Sequence, residues 1–219
     1  MDARRIRLCA IGGMVASAAL AAAVSAVASP GAAVVLTTPG EIYGSSQYTL
    51  GFQFTVSSSQ TIGSLGVFDD GAPLPQDAMV GIWDSSGDLL TSVTVPAVGA
   101  TDIGDFAYAS IAPFTLTPGT DYYVGAYLGG SGVASSLNTG QGGSGSYNSA
   151  ITVIQDQYSD FNSAFSFPGS TDGNAGGAWL GANFNLVPEP AVWALMLVGI
   201  SGLGAALRAR RSVRPRRAV

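Results

Sequence analysis

Histidine and lysine are absent from the 219 residues, and all nine basic side chains are arginines at the two ends: Arg4, Arg5 and Arg7, then Arg208, Arg210, Arg211, Arg214, Arg216 and Arg217. Between residues 8 and 207 there is no cationic side chain. The single cysteine is Cys9. A body of this composition cannot assemble a Ser-His-Asp or Cys-His nucleophile, a lysine Schiff base, an arginine phosphate clamp or the usual zinc site. Carboxylates, hydroxyls and amides are what remain. Charge is sparse throughout, at 11% of residues against 47% apolar. The length suits one domain of ordinary size, or two small ones, with appendages.

The arginines bracket two targeting patterns. Residues 1–28 run from a basic start through an apolar stretch, Leu8 to Val24, to the small residues Ala26 and Ala28 before Ser29. This is the three-part layout of a secretory signal, with export by Sec-type machinery and cleavage after Ala28 expected. A chain cut there retains no thiol, so the exported body is expected to fold without disulfides.

At the other end stand Val187, Pro188, Glu189 and Pro190, then seventeen uncharged residues from Ala191 to Leu207, then Arg208, Arg210 and Arg211. At ~1.5 Å per residue a helix of that length reaches about 25 Å, near the lower limit for a hydrocarbon core of roughly 30 Å. A transmembrane helix over 191–207 is expected, with the Arg-rich end 208–219 cytoplasmic by the positive-inside rule and everything from Ser29 to Glu189 outside. Pro188 and Pro190 lack an N–H and hold their predecessors extended, so the helix cannot run back through the tetrapeptide. Extended backbone is what a processing enzyme grips. Motif, apolar helix with Gly199, Gly202 and Gly204, and basic end together resemble the PEP-CTERM sorting tail of exported bacterial proteins. The resemblance implies recognition by exosortase, removal of the helix, and delivery of the remainder to the cell envelope or extracellular matrix.

The body between these ends is punctuated as strands. Tyr48, Leu50, Phe52, Phe54 and Val56 alternate with polar or small residues, which predicts a strand with one buried face. Strand-like runs follow at 61–68, 78–84, 88–95, 106–116, 121–128, 150–155 and 178–186, divided by Asp69-Asp70-Gly71, Asp84-Ser85-Ser86-Gly87-Asp88 and Thr117-Pro118-Gly119-Thr120. The Gly-rich segments 129–149 and 168–177 are expected to be surface loops. No sustained helical period occurs. An all-β fold is expected over 29–186, as a single β-sandwich or jelly-roll domain. Gly51-Phe52-Gln53-Phe54-Thr55-Val56, Val80-Gly81-Ile82-Trp83-Asp84 and Leu116-Thr117-Pro118-Gly119-Thr120 also resemble exported bacterial domains of unassigned function, over about residues 40–130. That resemblance implies a β-sandwich and no catalytic residues.

Glu41 and eleven aspartates face no basic partner, giving the body a charge of about −12. Nucleic acid and anionic lipid would be repelled. Calcium takes several carboxylate and carbonyl oxygens on flexible loops, which makes Asp69 with Asp70, and Asp172 with Asn174, candidate ligands. Asp84 and Asp88 read instead as a hairpin turn. Neutral or calcium-bridged extracellular polysaccharide is compatible with the charge. Of the aromatic residues, Tyr147 and Tyr158 beside the Gly-rich loops are the candidate glycan contacts, while Tyr43, Trp83, Tyr108, Tyr123, Tyr127 and Trp179 read mainly as core or sheet-face residues. The first expectation is a non-enzymatic envelope or matrix protein. A carbohydrate-binding module is the alternative, and a glycosidase using only carboxylates, Glu41 among them, is a third.

Overall fold

The computed structural model describes residues 31–44, 47–129, 133–136, 143–161 and 164–187. The expected signal segment with Ala26 and Ala28, the expected sorting motif from Pro188 to Pro190, the apolar run 191–207 and Arg208, Arg210 and Arg211 lie outside the described residues.

Among the described residues the protein is all-β, without a helix. The strands are β1 (Gly31–Ala32), β2 (Val34–Thr38), β3 (Ile42–Gly44), β4 (Leu50–Val56), β5 (Gln60–Phe68), β6 (Ala78–Asp84), β7 (Leu89–Val95), β8 (Thr101–Ile103), β9 (Phe106–Leu116), β10 (Tyr122–Tyr127), β11 (Val133–Ser136), β12 (Ser144–Tyr147), β13 (Ile151–Tyr158), β14 (Trp179–Leu180) and β15 (Ala182–Val187). They form two antiparallel five-stranded sheets, ordered β1-β15-β5-β9-β8 and β13-β4-β10-β6-β7. Two smaller sheets, β14-β11-β3 and β12-β2, accompany them. Register shifts within β13, β15, β5 and the β6–β7 pair bend the strands, and both large sheets curl.

Alternation places Phe52, Phe54, Val80, Ile82 and Val124 of one sheet and Ile62, Leu65, Val67 and Phe184 of the other in a single buried cluster. The rings of Phe54 and Phe184 meet across the layers at 4.9 Å. It is one of the contacts by which that cluster joins the two sheets.

The turn chemistry acts as its residues dictate. Asp84 Oδ1 accepts from the N–H of Ser86 (2.8 Å) and of Asp88 (3.0 Å), and Gly87 adopts φ 85°, so Asp84 to Asp88 is the hairpin between β6 and β7. Asp70 and Gly71 both take positive φ, 54° and 68°, while Ala72 N–H bonds Asp69 C=O at 3.0 Å, which is a type I′ geometry.

Three expectations require correction. β4 is buried on both faces, Gln53 included: Gln155 Nε2 of β13 donates to Gln53 Oε1 at 3.2 Å, and just before the strand Ser166 N–H reaches Thr49 Oγ1 at 3.1 Å. The run 178–186 is two strands in different sheets, divided at Gly181, whose N–H turns back to Trp179 C=O at 2.8 Å. The Gly-rich segment 129–149 is not loop alone, since β11 and β12 form within it.

Candidate functional site

The small sheet β14-β11-β3 sets one rim of the molecule. β11 holds β3 on one side and β14 on the other, pairing Ala134 with Tyr43 and Ser136 with Trp179. The rings of Tyr43 and Trp179 meet edge to face at 4.7 Å with planes 86° apart. Beside them, where β4 begins and β13 ends, Tyr158 pairs with Leu50 in register, and Tyr48 packs edge-on to Tyr158 at 6.2 Å and to Phe161 at 5.4 Å. Tyr43, Tyr48, Leu50, Tyr158, Asp172 and Trp179 line an open cleft of about 320 Å³. That volume falls at the small end of ligand sites, roughly 300–1,000 Å³.

The charged side chains at the cleft are of one sign, acidic. The Tyr43 hydroxyl donates to Glu41 Oε2 at 2.8 Å. This bond first, then desolvation and the charges of Glu41 and Asp172, hold the Tyr43 phenol above its ordinary pKa. The Trp179 indole N–H is buried with no acceptor among the described residues. An unsatisfied buried donor costs about 1–3 kcal/mol, so this wall carries a polar group left without a partner.

Asp172 is positioned by a buried carboxylate. Asp156 is fully enclosed, and it accepts from Thr171 Oγ1 (2.8 Å), from the Asp172 N–H (3.3 Å) and from Asn174 Nδ2 (2.9 Å). Bridges from Tyr158 to Ser170 and from Gln155 to Ala175 hold the segment 170–175 along β13. The loop expected from Gly-rich composition is therefore pinned at its base, with exposed Asp172 presented to the cleft.

The sequence candidates separate as follows. Tyr158 and Asp172 line the cleft. Tyr147 instead turns its hydroxyl to the Gly176 carbonyl at 3.1 Å, and burial pushes its pKa up to about 12. Asn174 braces Asp156. Asp69 and Asp70 sit on the turn after β5, where Asp69 Oδ1 accepts from Gly71 N–H at 2.9 Å. Burial raises the Asp69 carboxyl, opposed by that bond and reinforced by Asp102 and Asp105. Among the described residues no three or more His, Cys, Asp or Glu side chains converge as a metal centre. Val187 ends β15, and the other residues of the expected sorting motif, Pro188, Glu189 and Pro190, lie outside the described residues. Tyr43 and Trp179, read as core or sheet-face residues, and Tyr48, read as a strand residue, prove to be cleft walls. Trp83 keeps the expected buried role beneath Phe165 at 4.9 Å.

Fold and cleft together define an all-β domain with an aromatic, acid-rimmed recess between one large sheet and a small accessory one. Residues 36–179 match the family described as a domain of unknown function, DUF4082, and the chain belongs to that family. The matched span runs from β2 to β14 and contains every cleft residue. Among curated proteins none matches the chain.

Proposed function

We propose that this protein is an exported, non-enzymatic β-sandwich of the bacterial envelope or extracellular matrix, and that it binds polysaccharide in the aromatic cleft. The observation that carries the reading is the convergence of Tyr43, Tyr48, Tyr158 and Trp179 with Asp172 on one recess. Sugars present C–H groups on their ring faces and hydroxyls at their edges. Aromatic faces take the first, while carboxylates and phenols take the second. The missing histidine, lysine and internal arginine support binding over catalysis.

Export by a signal peptide cut after Ala28, and sorting by exosortase at Val187 to Pro190, complete the proposal. Two features of the fold agree with it. β1 pairs with β15, bringing Gly31 opposite Leu186, so the two chain ends assigned to the membrane leave the domain side by side. Gly181, just before β15, abuts Leu50 in the cleft, whereas Val187 lies six residues further along. At ~3.3 Å per residue, the end of β15 lies about 20 Å along the strand from the cleft, so a tail leaving there need not cover the recess. Calcium enters this reading only at the rim, through Asp172 and Asn174.

Affinity electrophoresis through gels containing single polysaccharides, with and without chelator, tests the proposal. Retardation by at least one glycan is expected, and Tyr158→Ala should weaken it roughly tenfold, the equivalent of one lost aromatic contact. Migration unchanged in every gel would remove the binding claim. Loss of retardation on chelation would assign the contact to calcium.

A further inference from the structure

We infer that the cleft selects glycans carrying free amines, such as partly deacetylated N-acetylhexosamine polymers, over their neutral counterparts; the inference rests on the glycan reading above. Every charged side chain that a ligand can meet in this body is anionic, because no cationic side chain occurs between residues 8 and 207. A carboxylate-bearing or sulfated glycan would be repelled by a body of about −12, and an ammonium group would be drawn in.

The local geometry agrees with the global charge. Tyr43 stands at 86° to Trp179, and Tyr48 at 82° to Tyr158, so the recess has aromatic walls in crossed orientations. Electron-rich ring faces attract a cation within ~6 Å of the ring centre, and several rings around one space add their contributions. Asp172 lines the same space, and Glu41 reaches it through the Tyr43 hydroxyl at 2.8 Å. Crossed rings with carboxylates at the rim suit an ammonium group on a flat, apolar-faced sugar better than a neutral hydroxyl at the same position. The Asp156 clamp holds the Asp172 backbone in place before a ligand arrives, which limits the ordering cost of binding.

Calorimetric titration of the full-length protein in polyoxyethylene detergent, with glucosamine hexamer and N-acetylglucosamine hexamer as probes, tests this. At a pH between the carboxylate and amine titrations, the amine hexamer is expected to bind roughly tenfold more tightly. The gap should close above the amine titration and narrow in Asp172→Asn. Equal affinity for the two hexamers, or a gap indifferent to pH, overturns the inference and leaves glycan binding standing. An equal narrowing in Asp121→Asn, a carboxylate that does not line the cleft, overturns it as general attraction of a polycation. Failure of both hexamers and of every polysaccharide gel overturns the inference together with the reading beneath it.

Discussion

Gly51→Val is expected to lower folding stability by about 3 kcal/mol or more, read as a shifted midpoint in urea unfolding. Gly51, Gly125 and Gly81 stand opposite one another on three adjacent strands, β4, β10 and β6. A Cβ at Gly51 would overlap the Val124 carbonyl and the Gly125 Cα. Those are backbone atoms of the neighbouring strand, and they cannot move without opening the β4–β10 ladder. The glycine row also makes room on the outer face: a Cβ at Gly81 would meet Phe165 at 2.7 Å, and one at Gly125 would meet Thr49 at 2.7 Å and Pro168 at 3.2 Å. The comparison variant is Gly99→Ala, where φ is 92° and no atom lies within 4 Å. It should cost only about 1 kcal/mol, from backbone strain alone. Equal losses in the two variants would mean that close strand approach at Gly51 has been overstated.

Asp156→Ala is expected to cost about 3 kcal/mol and to weaken glycan binding at the same time. Its carboxylate is a buried acceptor for Thr171, Asp172 and Asn174, and bonds to a charged acceptor exceed neutral ones. Removing it strips the segment 171–174 of its common anchor, and Asp172 then loses its place beside Tyr43 and Trp179. Asp156→Asn should fall between wild type and alanine, because one amide oxygen still accepts while the NH₂ faces an existing donor. Thermal unfolding and gel retardation, measured on the same preparations, check both halves. A stable variant with weak binding would place the loss in the loop alone, whereas unaltered stability and binding would refute the clamp.

The strands that form the large sheets were legible because each is long enough to show its period and is bounded by turn residues. β9 spans Phe106–Leu116 as expected, and Asp84 to Asp88 closes its hairpin through bonds that an aspartate and a glycine at those places favour. The accessory strands were not. β14 has two residues and β3 three, too few for a pattern, and each depends on pairing with β11, which the chain supplies from a Gly-rich stretch. That is also why the site was only half visible. Tyr158 and Asp172 are flagged by their loop context, but Tyr43 and Trp179 are far apart in the chain, and nothing near either one announces the other. Tyr48 was hidden differently, since it continues the apolar alternation of β4 while lying just before the strand. The covered outer face of the sheet that holds β4 was concealed by glycines: Gly81 of β6 and Gly125 of β10 leave the space that Phe165 and Pro168 fill.

The most direct test follows the indole N–H resonances of the full-length protein, which has Trp83, Trp179 and Trp193, during titration with an oligosaccharide taken from a retarding gel. The cleft assignment predicts that the Trp179 signal shifts saturably while that of Trp83, enclosed beneath Phe165 and Phe167, stays in place. A saturable shift at Trp83 with Trp179 unmoved would contradict it.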